Sequence, residues 1–216
     1  PPLFLIIRPP PITKLFPYTT LFRSYGTVSN IISEDSHTIP ETLYGHSKLF
    51  LEKMILEWSK INKVTPQILR IGHIYGEGED EYKKIIPVTI NKLIKNEQPE
   101  IYSEGKEKRT FLYIDDCCKL ILSSIELDEY KGPINITGSK EISILKLINT
   151  IIEVSGKNIV PLIKNENNDT RDLIFDSYKM NKYLGVETTT LEEGIKKEYE
   201  YFLEKYYKAT YAKKQI

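Results

Sequence analysis

From residue 41 to residue 208 the chain alternates between two hydrophobic rhythms. Apolar residues three or four apart mark amphipathic helices, and short unbroken apolar runs mark buried strands. ETLYGHSKLFLEKMILEWSKI (41–61) has the first rhythm; TPQILRIGHIYG (65–76) has the second and runs into a loop. EYKKIIPVTINKLIKN (81–96) is again helical, followed by strands at PEIYS (99–103) and KRTFLYI (108–114). IDDCCKLILSSIEL (114–127) reads as a helix whose opening aspartates suit an N-terminus and serve as its caps. GPINITG (132–138) is a strand, ISILKLINTIIEVSG (142–156) a helix closed by Gly156, and IVPLIK (159–164) and RDLIFD (171–176) are extended. TTLEEGIKKEYEYFLEKYYK (189–208) is the closing helix. Strands alternating with helices predict an α/β protein with a mostly parallel sheet.

The first 24 residues do not share either rhythm. Pro9, Pro10 and Pro11 exclude a helix there, and LFLII is too short and wrongly flanked for a signal-peptide core. TKLFPYTTLFRS (13–24) resembles translated sequencing-adapter sequence, so residues 1–24 are expected to be a non-native leader.

Thirty basic residues balance thirty acidic ones, which points to neither nucleic acid nor an anionic membrane as partner. No apolar run reaches membrane-spanning length. Cys117 and Cys118 are adjacent in an apolar run, the setting of buried reduced thiols in a cytoplasmic protein. His37, His46 and His73 lack metal-ligand spacing, so no metal is expected. Arginine is scarce beside lysine, with five residues in the chain, which makes each arginine a candidate for a particular task.

Tyr44 and Lys48 stand at i and i+4 on one helix, so they share a face. A phenol beside an ammonium can take up and return a proton at neutral pH, as hydride transfer at a carbinol carbon requires. The pattern alone is weak, since Tyr102/Lys106, Tyr178/Lys182 and Tyr201/Lys205 repeat it. Only the first pair opens a long apolar helix directly ahead of a strand.

Further motifs fall in line with that pair. YGTVSN (25–30), SEDSHTIPETLYGHSKLFLEK (33–53), LRIGHIYGEGE (69–79), EIYSEGKEKRTFLYIDDCCKLIL (100–122), INITG (134–138) and DSYKMNKYLGVETTTLEEGIKK (176–197) resemble the extended short-chain dehydrogenase/reductase family. Within it they are most similar to the NAD-dependent sugar-nucleotide epimerases and dehydratases. The resemblance implies the C-terminal portion of a Rossmann-like doubly wound parallel sheet plus a smaller substrate-binding subdomain. Residues 25–80 would be the remaining NAD-binding part, and residues 81–216 mainly the substrate-binding subdomain, with some segments returning to the sheet. It implies NAD as cofactor, with NADP the alternative, and a nucleotide-linked sugar as substrate. The reading is an epimerase or dehydratase working through a transient keto sugar. A binding-only fragment and a plain alcohol or ketone reductase are the alternatives.

On the same resemblance, Tyr44 is the acid/base, Lys48 holds the nicotinamide ribose, and Gly72 lies where a strand end passes beneath the nicotinamide. Arg109 matches the arginine that grips the diphosphate, a task suited to its planar fork. Tyr102 matches a position near the nucleotide, and His73 replaces an asparagine that touches the substrate. Arg171 is the weaker candidate for a second diphosphate arginine, because KNENNDTRD lacks the family's R-x-G-D turn. Leu21 stands where a catalytic serine or threonine belongs, and the family's glycine-rich phosphate turn is expected upstream of Tyr25. Gly72, Gly76 and Gly78 imitate such a turn, but Glu77, Glu79, Asp80 and Glu81 would repel a phosphate. The helix carrying Tyr44 has a broad apolar arc through Phe50, Leu51, Met54, Ile55, Trp58 and Ile61, with Leu49 and Leu56 on another side. The resemblance implies a homodimer through this helix, for which Leu49 and Leu56 are the candidates, an ordinary core face being the alternative.

Overall fold

The computed structural model describes Tyr25, residues 31–166 and residues 170–213. The leader at 1–24, Leu21 within it and residues 26–30 of the YGTVSN motif lie outside the described residues. The fold is α/β. Helix α1 (Leu43–Asn62) leads into β1 (Leu69–Ile71) and β2 (His73–Tyr75), then α2 (Ile85–Ile94), β3 (Glu100–Ile101) and β4 (Lys108–Tyr113). They are followed by α3 (Ile114–Ile125), β5 (Ile134–Ile136), β6 (Glu141–Ser143), α4 (Ile144–Ser155) and β7 (Leu162–Ile163), then α5 (Tyr178–Leu184) and α6 (Leu191–Lys213).

The run read as one strand at 65–76 is two. β1 pairs in parallel with β5, and β2 pairs in parallel with β4. Gly72 is the joint between them. Its N–H donates to the Ile136 carbonyl at 2.8 Å. A Cβ there would meet the Ile136 carbonyl oxygen and Thr137 Oγ1, each at 3.3 Å. Glycine therefore lets the chain step from one neighbour to the other without a side chain in the gap. β6 adds to the other side of β4 in antiparallel fashion, and β3 pairs with β7. Residues 173 and 175 form isolated parallel bridges to Arg109 and Ile32.

Two apolar clusters hold these strands. In one, Ile90 and Leu93 of α2, Leu147, Ile148 and Ile151 of α4 and Ile195 of α6 are fully buried against Tyr75 and Tyr113. In the other, Leu112, Leu120, Ile134, Ile136 and Met180 join β4, α3, β5 and α5. A third, smaller group contains Tyr25, Ile32, Leu173 and Phe175.

Helix α1 starts where Thr42 Oγ1 accepts the Gly45 N–H at 3.1 Å, and it stops at left-handed Lys63. Its inward face differs from the one the apolar arc predicts. Gly45 and Ser59 are buried, and Leu49, Glu52 and Leu56 are half-buried on the same side. Phe50, Leu51, Met54, Trp58 and Ile61 are exposed. Leu49 and Leu56 thus belong to the packed face. The reason is a polar anchor that an apolar periodicity does not weigh: Arg70 of β1, buried at 7%, takes Glu52 in two bonds of 2.8 and 2.9 Å. A desolvated guanidinium needs that partner more than the helix needs its larger apolar arc covered. Arg70 also donates to Tyr25 Oη at 2.7 Å, and Tyr25 donates to Asn135 Oδ1 at 2.7 Å.

Two further expectations change. The aspartates of α3 sit in its first turn, but the helix has no side-chain cap bond. Asp116 is instead fully buried and accepts the Thr189 N–H at 2.6 Å, tying α3 to the entrance of α6. Of the two free cysteines, Cys117 is buried and Cys118 is exposed, because adjacent positions on a helix point about 100° apart.

Tight packing between α6 and β2 gives a direct test. A Cβ at Gly194 would lie 2.1 Å from Tyr75 Oη. Gly194→Ala is expected to cost about 1–3 kcal/mol in urea unfolding. Tyr75→Phe, which removes the clashing oxygen, should recover part of that loss in the double variant. Equal losses in both backgrounds would place the strain elsewhere.

Candidate functional site

The pairing of β2 with β4 sets His73 opposite Phe111. Side chains alternate across a strand, so Arg109 and Phe111 of β4 project to one side, and Glu107 immediately precedes the strand. All three, with His73, line a cavity of about 570 Å³ that α2 and the 99–103 segment close. That volume is within the range of small-molecule sites.

Three residues singled out in the sequence meet in this cavity: His73, Tyr102 and Arg109. Arg109 is anchored by its own scaffold, since Nη1 donates to the Lys108 carbonyl at 2.7 Å and the Arg171 carbonyl at 2.5 Å. Burial lowers its pKa from the ordinary arginine value, with Glu107 and Asp172 working the other way. Burial, followed by the positive charges of Arg109 and Lys84, pushes His73 down to about 4, so the ring is neutral near pH 7. Its Nδ1 is buried without a hydrogen-bond partner among the described residues. Tyr102 donates to Glu100 at 2.6 Å, beneath Lys164, whose ammonium lies 4.8 Å from the ring centre.

The other candidates lie apart. Arg171 reaches the site through its backbone carbonyl, and its neighbour Thr170, rather than Arg171, lines the cavity. Gly72 is held by β5, one residue from His73. Tyr44 and Lys48 are on α1, and neither lines the cavity. The Lys48 ammonium sits 5.2 Å from the centre of the Tyr44 ring. Lys182 over Tyr178, at 5.6 Å, shows the same geometry, so this contact alone does not separate the two pairs. Lys106 is bound to Glu104 at 2.6 Å, and Lys205 to Asp80, which leaves those repeats serving surface ion pairs.

The glycine turn at 76–79 is closed to a phosphate by its own contacts. Tyr113 Oη donates to both oxygens of Glu77 at 2.7 Å, and buried Glu79 pairs with Lys84. A Cβ at Gly76 would lie 2.5 Å from Ile114. Those glycines serve packing and turn geometry.

Lys84, Glu79 and Glu107 also line the cavity, and nothing in their local pattern marks them for it. They sit in charge-rich stretches, EGEDEYKK and EGKEK, where periodicity cannot tell an inward charge from a solvated one. Behind Glu79, Glu198 of α6 is 0% exposed, and neither of its carboxyl oxygens has a partner among the described residues. Among the described residues no cluster suits a metal ion, and no helix is long and apolar enough to cross a membrane.

Strand pairing and cavity together describe an α/β fold with a cavity of small-molecule size, and sequence comparison specifies the family. The profile of the NAD dependent epimerase/dehydratase family matches residues 20–137, more than half of the chain. The chain belongs to that family. It is 29% identical over 177 residues to the dTDP-4-dehydro-6-deoxyglucose reductase of Escherichia coli, covering 80% of this chain and 56% of that protein. To a putative UDP-glucose 4-epimerase of Methanocaldococcus jannaschii it is 28% identical over 178 residues, covering 80% and 57%. The crystal structure of UDP-glucuronic acid 4-epimerase from Bacillus cereus in complex with NAD superposes with a TM-score of 0.71 at 27% identity, over 84% of this chain and 57% of that one. The chain thus spans little more than half the length of these relatives.

Glu198 yields a pH-dependent prediction. Burial first, then Glu79 and Glu77, push its carboxyl from the ordinary 4.5 up to about 9, against the opposing charge of Lys84. Between those values the unfolded chain has lost this proton and the folded chain keeps it. Its contribution to stability is therefore whole below pH 4.5 and declines as pH rises toward 9. Glu198→Gln should flatten the fall in stability between about pH 5 and about pH 8, a fall on the order of 1 kcal/mol per pH unit. An unchanged slope in chemical denaturation across that range would show that Glu198 is not the group responsible.

Proposed function

We propose that this chain supplies the nucleotide-sugar site and the acid/base tyrosine of an NAD-dependent epimerase or dehydratase. The observation that carries the reading is the convergence of His73, Tyr102 and Arg109 on one cavity, although they lie far apart in sequence. Arg109 and Lys84 give the cavity the positive charge a diphosphate needs. His73, neutral and half-buried, can donate or accept at the sugar.

The described residues suit one end of NAD and not the other. Tyr44 and Lys48 form the ribose-side pair on one helix face, whereas the 76–79 turn, lined by engaged carboxylates, is no pyrophosphate site. NAD, when bound, supplies the hydride acceptor. Tyr44 is the group assigned to carry the proton of the sugar hydroxyl, with Lys48 setting a positive charge over its ring. In this reading residues 25–80 are cofactor-side and residues 81–216 mainly substrate-side, with β5 returning to β1. A reductase is the second reading, favoured by the Escherichia coli relative.

The free cysteines suit a reducing, cytoplasmic setting. A homodimer through α1 would use the exposed Phe50, Met54, Trp58 and Ile61 in place of the packed Leu49 and Leu56. Sedimentation should then show pairs that Trp58→Lys dissociates; monomers in both would end that assignment.

The main test is binding of UDP to the chain by calorimetry. Arg109→Ala should weaken it by about 1.5–3 kcal/mol, the worth of a charge-assisted bond to phosphate. Equal affinity in both would take Arg109 out of the site.

A further inference from the structure

Glu107 is a carboxylate set beside the arginine assigned to bind an anion. It lines the same cavity as Arg109, two positions earlier in the chain and one before β4 begins. A carboxylate there repels phosphate. The attraction of Arg109 acts on this carboxylate only through space, because no ion pair joins the two among the described residues and Arg109 Nη1 is bound to backbone carbonyls. Its placement is nonetheless fixed. Ser103 Oγ donates to Glu107 Oε1 at 2.7 Å and accepts the Gly105 N–H at 3.0 Å. The Glu107 backbone carbonyl accepts the Ile144 N–H at 3.0 Å. Glu107 Oε2 is then left buried with no hydrogen-bond partner among the described residues. A turn brace needs only Oε1, and an unmatched carboxylate oxygen carries a desolvation cost.

Its place along the strand indicates what would satisfy it. Phe111, paired with His73, marks one end of the row; Arg109 follows, then Glu107, with Ser103 and Tyr102 beyond. Successive residues on one strand face are about 6.6 Å apart. A nucleoside diphosphate laid along this row, with its phosphates at Arg109 and its base toward Tyr102, brings its ribose to Glu107. Vicinal hydroxyls are donors, and a carboxylate is an acceptor that can take both.

We propose that Glu107 is a specificity-determining residue that accepts the ribose hydroxyls, so that the cavity selects ribonucleoside diphosphates over their 2′-deoxy counterparts. This rests on the nucleotide-sugar reading of the cavity and refines it. It favours a UDP-type substrate over a dTDP-type one, a choice on which the two relatives' names divide.

The experiment titrates the chain with UDP and with 2′-deoxy-UDP, as wild type, Glu107→Ala and Ser103→Ala. Wild type should bind UDP at least about tenfold more tightly than 2′-deoxy-UDP, the effect of one hydrogen bond to a charged group. Glu107→Ala should bring that ratio close to one, chiefly by weakening UDP. Ser103→Ala, which removes the brace and keeps the carboxylate, should retain a preference for UDP. Equal affinities in wild type, or a ratio unchanged in Glu107→Ala, would overturn the role of Glu107 and leave the nucleotide site standing. Absence of UDP binding at millimolar concentration would instead refute the nucleotide reading itself, and this inference with it.

Discussion

The parallel pairing of β2 on β4 is the constraint from which the site follows. Its register puts His73 against Phe111, and strand alternation then sends Arg109 to the same side, with Glu107 lining the same cavity just ahead of β4. A slip of one residue would turn all three away from the cavity and bring Lys108, Thr110 and Leu112 toward it. Such a slip is costly, because Leu112 and Tyr113 are 1% and 2% exposed in separate apolar clusters on the two faces. Gly138 reinforces the position of β4: a Cβ there would fall 2.0 Å from the Phe111 carbonyl oxygen, so only glycine allows the two backbones to approach. Core packing thus specifies the geometry of a site whose own residues are mostly polar.

Charge inside the molecule is arranged by pairing before it is arranged for ligands. Arg70, Glu79 and Asp116 are all buried, and each has a defined partner in Glu52, Lys84 or the Thr189 N–H. Glu198, and the second oxygen of Glu107, depart from that rule. They depart in different ways. Glu198 is buried beside Glu79 and Glu77 and resolves its burial by keeping its proton, whereas Glu107 lines the cavity proposed to take a ligand. Lys84 connects the two regions, since it pairs with Glu79 and also lines the cavity. An anion entering there competes with Glu79 for the same ammonium. Loss of that cation would leave Glu79 beside Glu198 and favour its protonation.

The helices and strands of the described chain were readable from periodicity because their apolar faces are long and regular, as Leu147, Ile148 and Ile151 of α4 show. The small helix α5 was hidden, having only seven residues and a polar run, YKMNKYL. α1 was readable as a helix and unreadable as to its inward face. Its most apolar arc is exposed, and the face that packs is chosen by Glu52, whose partner lies 18 residues away. The same limit governs the site. Arg109, His73 and Tyr102 stood out through ordered motifs, whereas Lys84 and Glu107 belong to lysine- and glutamate-rich stretches in which inward and outward charges look alike. Position relative to a distant strand, not residue type, separates them.

Gly72 shows how α1 and the cavity can be joined through so few residues. Upstream of it, Arg70 is bound to α1 through Glu52, and α1 carries Tyr44 and Lys48. Downstream, His73 enters the cavity wall. The Gly72 N–H is fixed to Ile136 of β5, so the peptide between these two commitments has little freedom. The Glu52–Arg70 pair and the His73–Phe111 register therefore set the relation between the tyrosine helix and the cavity jointly. A buried ion pair costs several kcal/mol to desolvate, and apolar packing could hold a helix as firmly. What the pair adds is direction. Two bonds between planar groups fix the rotation of α1 about its axis, which apolar contacts among Leu49, Leu56 and their neighbours would leave looser. For a helix proposed to carry an acid/base phenol, that rotation is the quantity that has to be specified.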